Sequence, residues 1–166
     1  MQRVGDKLYE IALAEKLESS ADVFGRSAFN RYYYSSYLLT RDMLVLINDN
    51  WKKFPHKTIP SILTVNLFNL IKNTLKRQVR SGLISDAEAK RRKYEALSSI
   101  NAMSTVLAES YSTRVDADYY PEKKIKKERN NIYLGNQSIE SAKRWTERIL
   151  THRKVITNVC RQLGIC

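Results

Sequence analysis

Five glycines and three prolines are all that interrupt this chain of 166 residues, and their placing cuts it into pieces of helical length. Glycine and proline are the strongest local breakers of regular structure. Where they are scarce and apolar residues recur at three- and four-residue steps, long helices follow. Residues 6–19 bring Leu8, Ile11, Ala12 and Ala14 or Glu15 near one face, and residues 27–49 align Ala28, Tyr32, Ser36, Leu39, Met43 and Leu46. Pro60 suits the first turn of a third helix, where a missing N–H costs little. Leu63, Leu67, Leu70, Ile71 and Leu75 form its inner side, and Ser81-Gly82 closes it. Ser85-Asp86-Ala87-Glu88 has the capping-box pattern and opens a fourth helix carrying Leu97, Ile100, Ser104, Leu107, Tyr111 and Arg114. Ser138 caps a last helix, with Ala142, Trp145, Ile149, Ile156, Cys160 and Leu163 inward. No stretch alternates with period two for long enough to predict a sheet. The expected fold is all-α: one domain over 1–166, an up-and-down bundle of about five helices, with 115–136 as a long basic connection.

The second helix is unusual in content. Asn30-Arg31-Tyr32-Tyr33-Tyr34-Ser35-Ser36-Tyr37 places four tyrosines and an arginine in under three turns. Small residues beside large rings let a neighbouring helix approach closely, and buried phenol hydroxyls need polar partners. An aromatic-rich core helix accounts for most of this. Arg31 is the exception, because arginine is rarely buried unless it is paired or serves a site.

A formal net charge of +12 with 43% hydrophobic residues describes a folded, basic protein. Nucleic acid is then the first partner to consider and an acidic protein the next. The only cysteines, Cys160 and Cys166, fit no zinc spacing, and His56 and His152 are far apart, so no metal or cofactor is expected. The thiols are expected to be reduced, with their pairing left open. Nothing approaches the ~20 apolar residues of a membrane span, and the first residues lack an apolar signal region. The chain reads as soluble and cytoplasmic, without a membrane partner.

Basic residues concentrate at Lys90-Arg91-Arg92-Lys93 and at Lys123-Lys124-Ile125-Lys126-Lys127-Glu128-Arg129. The first run reads as a solvated helix face. The second falls in the long connection beside Tyr119, Tyr120 and Tyr133, and cations interleaved with rings suit phosphates and unstacked bases. Arg31, Lys123, Lys124, Lys126, Lys127 and Arg129 are therefore candidate RNA-binding residues. Glycine-rich phosphate loops and the known sequence-reading signatures are missing.

Three segments taken together carry a resemblance: Asn30-Arg31-x-Tyr33-Tyr34-x-x-Tyr37, the loop with His56-Lys57, and Arg114-x-x-Ala117-Asp118-Tyr119. They resemble the HEPN family, and more closely its small stand-alone prokaryotic members with Arg-x-Tyr-Tyr and Arg-x-x-Ala-Asp-Tyr segments. The resemblance runs from about Leu8 to Val155. It implies a helical bundle, usually a homodimer, with the active groove at the dimer interface. Active members are metal-independent endoribonucleases, found as toxins paired with a nucleotidyltransferase antitoxin or in antiviral defence. The family's arginine is followed after a short spacer by histidine, whereas here that window holds Tyr119, Tyr120 and Pro121.

On this resemblance Arg114 and Arg31 would bind phosphate, Asp118 would orient Arg114, and His56 or Tyr119 would move any proton. Cleaving RNA without a metal needs proton transfer at the 2′-hydroxyl and at the leaving oxygen, with a cation on the phosphate. Histidine suits the first task near neutral pH, and arginine only the last. Other readings stay open: a non-catalytic module of the same fold that binds a nucleotide or a partner enzyme such as a nucleotidyltransferase, or a helical scaffold for an acidic partner. Arg114 with Asp118 is also a ready i, i+4 ion pair that needs no ligand.

Overall fold

Helix takes 79% of the residues in the computed structural model, which describes residues 1–166, and the fold class is that of an all-α helical bundle. The helices are α1 (Gln2–Ala14), α2 (Glu18–Ile47), α3 (Ile59–Ser61), α4 (Phe68–Arg80), α5 (Asp86–Tyr119) and α6 (Ile139–Gln162). A π-helical stretch, Ile62–Leu67, joins α3 to α4, so 59–80 is one irregular helix and the main helices number five. No helix is long and apolar enough to cross a membrane.

The chain divides into two compact units. The first comprises Met1–Leu38 and Leu107–Arg148. Its interior is built on Tyr9, Phe29, Tyr32, Ile132 and Trp145, with α1 seated on α2 at Gly5. A methyl group on Gly5 would come within 2.8 Å of Tyr32 Cε1, so glycine is what lets the ring lie against α1. The Tyr32 hydroxyl donates to Asp6 Oδ1 at 2.9 Å, which satisfies a phenol buried in the core.

The predicted helix over 6–19 is two helices. The break falls at 15–17, where no glycine or proline marks it, and the reason is tertiary. Lys127 Nζ donates to the carbonyls of Leu13 (3.3 Å) and Glu15, satisfying groups that an ended helix leaves open. The inward face of α1 is Gly5, Tyr9 and Ala12, while Ile11 is 40% exposed. The second helix starts well before residue 27 and passes through Gly25, against which Ile125 packs at 3.1 Å from the position a Cβ would take.

The long connection over 115–136 is also corrected. Helix α5 continues to Tyr119, and the residues after Lys124 supply two strands of a three-stranded antiparallel sheet that ends just beyond the connection. Strands β1 (Ile125–Glu128), β2 (Asn131–Leu134) and β3 (Gln137–Ser138) pair Ile125 with Leu134 and Tyr133 with Ser138. Ile132 and Leu134 point inward, and Gly135 (φ 58) turns the chain between β2 and β3. The basic run 123–129 is therefore largely strand and tight turn.

The second unit comprises Leu39–Val106 and Ile149–Cys166. Met43, Leu63, Ile71, Ile100, Met103 and Ile156 are its fully buried centre. Ser85 Oγ caps α5 by accepting the Glu88 N–H at 3.2 Å, as the capping-box pattern predicts, and Gly82 (φ 72) ends the α4 side.

Candidate functional site

The last turns of α5 gather three of the sequence-predicted residues, Arg114, Asp118 and Tyr119. Arg114 and Asp118 are one turn apart on the helix, and Arg114 Nε lies 2.8 Å from Asp118 Oδ2. Nε makes no hydrogen bond, so this contact is a close ion pair whose N–H points away from the oxygen. Asn30 Nδ2 of α2 donates to the other oxygen, Asp118 Oδ1. That fixes the carboxylate and leaves Asn30 Oδ1 buried without a partner. The Arg114 Cζ stands 5.2 Å from the centre of the Tyr119 ring, and Tyr119 is 64% exposed. Burial draws the Arg114 pKa down, but Asp118 and then Tyr119 and Tyr34 outweigh it and leave it raised.

Next in the chain, the same arrangement recurs. Lys123 Nζ is 4.9 Å above the ring of Tyr120, which is also exposed, and pairs with Asp116 Oδ1 at 2.6 Å. A cleft of about 420 Å³ opens beside this pair, lined by Ser112, Thr113, Asp116, Lys123 and Gln137 among others.

What positions this end of α5 is a residue the sequence reading passed over. Arg26 donates from Nε to Asp22 Oδ2 at 2.9 Å and from its other nitrogens to carbonyls of Asp116 (3.3 Å), Ala117 (2.9 Å), Tyr120 (3.1 Å) and Pro121 (3.4 Å), and to Lys123 O. A cation on the open carbonyls at a helix C-terminus both satisfies them and matches the helix dipole. Asp22 Oδ1 accepts the Ile125 N–H at 2.8 Å, so one buried ion pair ties α2, the end of α5 and β1 together. The signal available in sequence was the i, i+4 spacing of Asp22 and Arg26.

Behind Arg114 lies the tyrosine cluster. Tyr33 meets Tyr111 edge-on at 6.0 Å and stacks on Tyr37 at 6.1 Å, with Tyr34 edge-on at 5.2 Å. Burial first, then Tyr34 and Tyr37, push the Tyr33 phenol above its ordinary value, against an opposing pull from Arg114. At neutral pH this phenol keeps its proton, and its chemistry is that of a hydrogen-bond donor.

Arg31 is half-buried but sits about 100° round α2 from Asn30, on a different face, and forms no ion pair. His56 belongs to the second unit, on the short turn His56–Thr58. Of the basic run, Lys124 lies 3.6 Å from Asp22 and Lys127 is committed to the α1 carbonyls, while Lys126 and Arg129 are exposed. Lys126 and Lys127 line a groove of about 540 Å³ together with Lys16 and Glu18. No cluster of three His, Cys, Asp or Glu side chains is arranged to hold a metal ion. No protein-family model, curated protein or solved structure matches the chain.

Proposed function

We propose that this chain is a HEPN-like module that binds single-stranded RNA at the C-terminal end of α5. Arg114 and Lys123 would meet phosphates, and Tyr119 and Tyr120 would take unstacked bases. The observation that carries the reading is the repeated pairing of a cation with an exposed ring, Arg114 on Tyr119 and Lys123 on Tyr120. Ring faces accept any base, and adjacent cations follow the backbone, which is the usual construction of a single-strand platform. The net charge of +12 supports the same class of partner. Binding is preferred to cleavage because the residues after Arg114 where the resembled family has histidine are Tyr119, Tyr120 and Pro121, and arginine itself moves no proton.

The test is fluorescence anisotropy with a labelled, uridine-rich single strand, with RNA integrity followed on a gel. Tyr119→Ala and Tyr120→Ala should each weaken binding about tenfold, within the range for one lost base stack. Arg114→Ala should weaken it comparably. If the wild type also cuts the strand, Arg114→Ala should slow cutting by about 10²–10³-fold, beyond its effect on binding. Absence of binding at low salt, or affinity indifferent to salt, would overturn the reading.

A further inference from the structure

A second charged surface lies in the other unit. Helices α4 and α5 are joined by the short turn at 81–85, and a groove of about 450 Å³ runs between them. Its floor is aliphatic: Leu75 and Val79 from α4 and Ala89 from α5. Its walls carry five cations, Lys72, Lys76, Arg80, Lys90 and Lys93, against one carboxylate, Asp86. The spacing is that of one helix face on each side, 72-75-76-79-80 on α4 and 86-89-90-93 on α5. None of the five cations forms an ion pair, whereas the adjacent Arg91 and Arg92 both pair with Glu88, and Arg91 also with Glu95. The cations that face the groove are thus the ones left uncompensated.

We infer that this groove docks an acidic amphipathic helix of another protein, its apolar stripe on Leu75, Val79 and Ala89 and its carboxylates between the lysines. Charge complementarity and an apolar floor between two parallel ridges are the features of helix-in-groove recognition. The floor has no aromatic ring for a base to stack on, and an RNA backbone would leave the aliphatic surface unpaired. A second copy of this chain is a poor occupant, because a body of charge +12 is repelled by five unpaired cations. The inference is independent of the RNA reading, which concerns the other unit.

The probe is a synthetic amphipathic helical peptide with leucines at i, i+3 and i+7 and glutamates on its flanks, titrated by calorimetry against the full chain. The controls are a scrambled peptide of identical composition and the same uridine-rich single strand used above. The ordered peptide should bind at least tenfold more tightly than the scrambled one. The pair K76E and K90E together should reduce that binding at least tenfold and leave RNA affinity within about twofold. The neutral pair K76Q and K90Q should give an intermediate loss, and its thermal midpoint guards against misfolding. Equal binding of the ordered and scrambled peptides would overturn the proposal. So would a loss of RNA affinity in K76E/K90E as large as the loss of peptide affinity, since the groove would then be a nucleic-acid surface.

Discussion

Gly5 shows how a single hydrogen can decide the packing of a helix. Replacing an ordinary mid-helix glycine with alanine gains about 1 kcal/mol. Here the added methyl would meet the fully buried Tyr32 ring at 2.8 Å, and Asp6 fixes that ring through its hydroxyl. Overpacking costs about 1–3 kcal/mol, so Gly5→Ala should lower stability by about 1 kcal/mol in urea denaturation instead of raising it. The tyrosines make a second residue-level case. Burial above all, with Asp6 and Glu140 assisting, raises the Tyr32 phenol over its ordinary 10.0, and Tyr33 is raised chiefly by its own burial. The folded state then keeps protons that the unfolded chain releases, so their stabilisation is complete below about pH 10 and is lost as pH climbs past it. Urea midpoints should hold level from neutrality towards pH 9 and fall above 10, and Tyr33→Phe should make that fall shallower.

At the scale of elements, the hairpin separates two kinds of lysine. Lys127 closes the end of α1 through the Leu13 and Glu15 carbonyls, and Lys126 makes no ion pair. Lys127→Ala should therefore cost about 1 kcal/mol of stability. Lys126→Ala should leave the thermal midpoint in place and reduce the salt slope of RNA binding by about 0.7, the share of one phosphate contact on a single strand. This division also marks how far the sequence could be read. Helix α6 was largely legible: the named Ala142, Trp145, Ile149, Ile156 and Cys160, with Leu163 just past its end, are all buried because its periodicity is strong and local, while the equally buried Ile139 and Val159 went unnamed. The end of α1 was not, because the group that ends it comes from residue 127. The hairpin had a local turn signal, Gly135-Asn136 after the apolar Leu134, but strands of two to four residues are too short for period-two alternation to stand out. Within the candidate site, Arg114, Asp118 and Tyr119 share one helix end; spacing marked the Arg114–Asp118 pair, and the resemblance is what singled out the three together. Asn30 and Arg26 reach the same place from a segment distant in sequence: Asn30 stood in the quoted tyrosine segment with no role assigned, and Arg26 had only its i, i+4 spacing to Asp22.

For the whole molecule, a formal charge of +12 conceals an unequal use of cations: Arg26 and Lys127 hold carbonyls, Arg91 and Arg92 hold Glu88, Arg114 and Lys123 hold aspartates, and Lys72, Lys76, Arg80, Lys90 and Lys93 form no ion pair. Composition counts all of them alike, so it names a class of partner and says nothing of where that partner sits. Arg26 also has a bearing on time. Its carbonyl partners lie 90 to 97 residues further along the chain, a loop whose closure entropy must be met before the contact returns any stability. Such a contact should be absent from the folding transition state. Arg26→Ala should then leave the refolding rate nearly unchanged and raise the unfolding rate tenfold or more, for about 1.4 kcal/mol or more lost, as two limbs of a stopped-flow denaturant series would register. The lifetime of the Arg114–Tyr119 pairing is on this account set by an arginine outside it, through the rate at which its grip on the carbonyls fails.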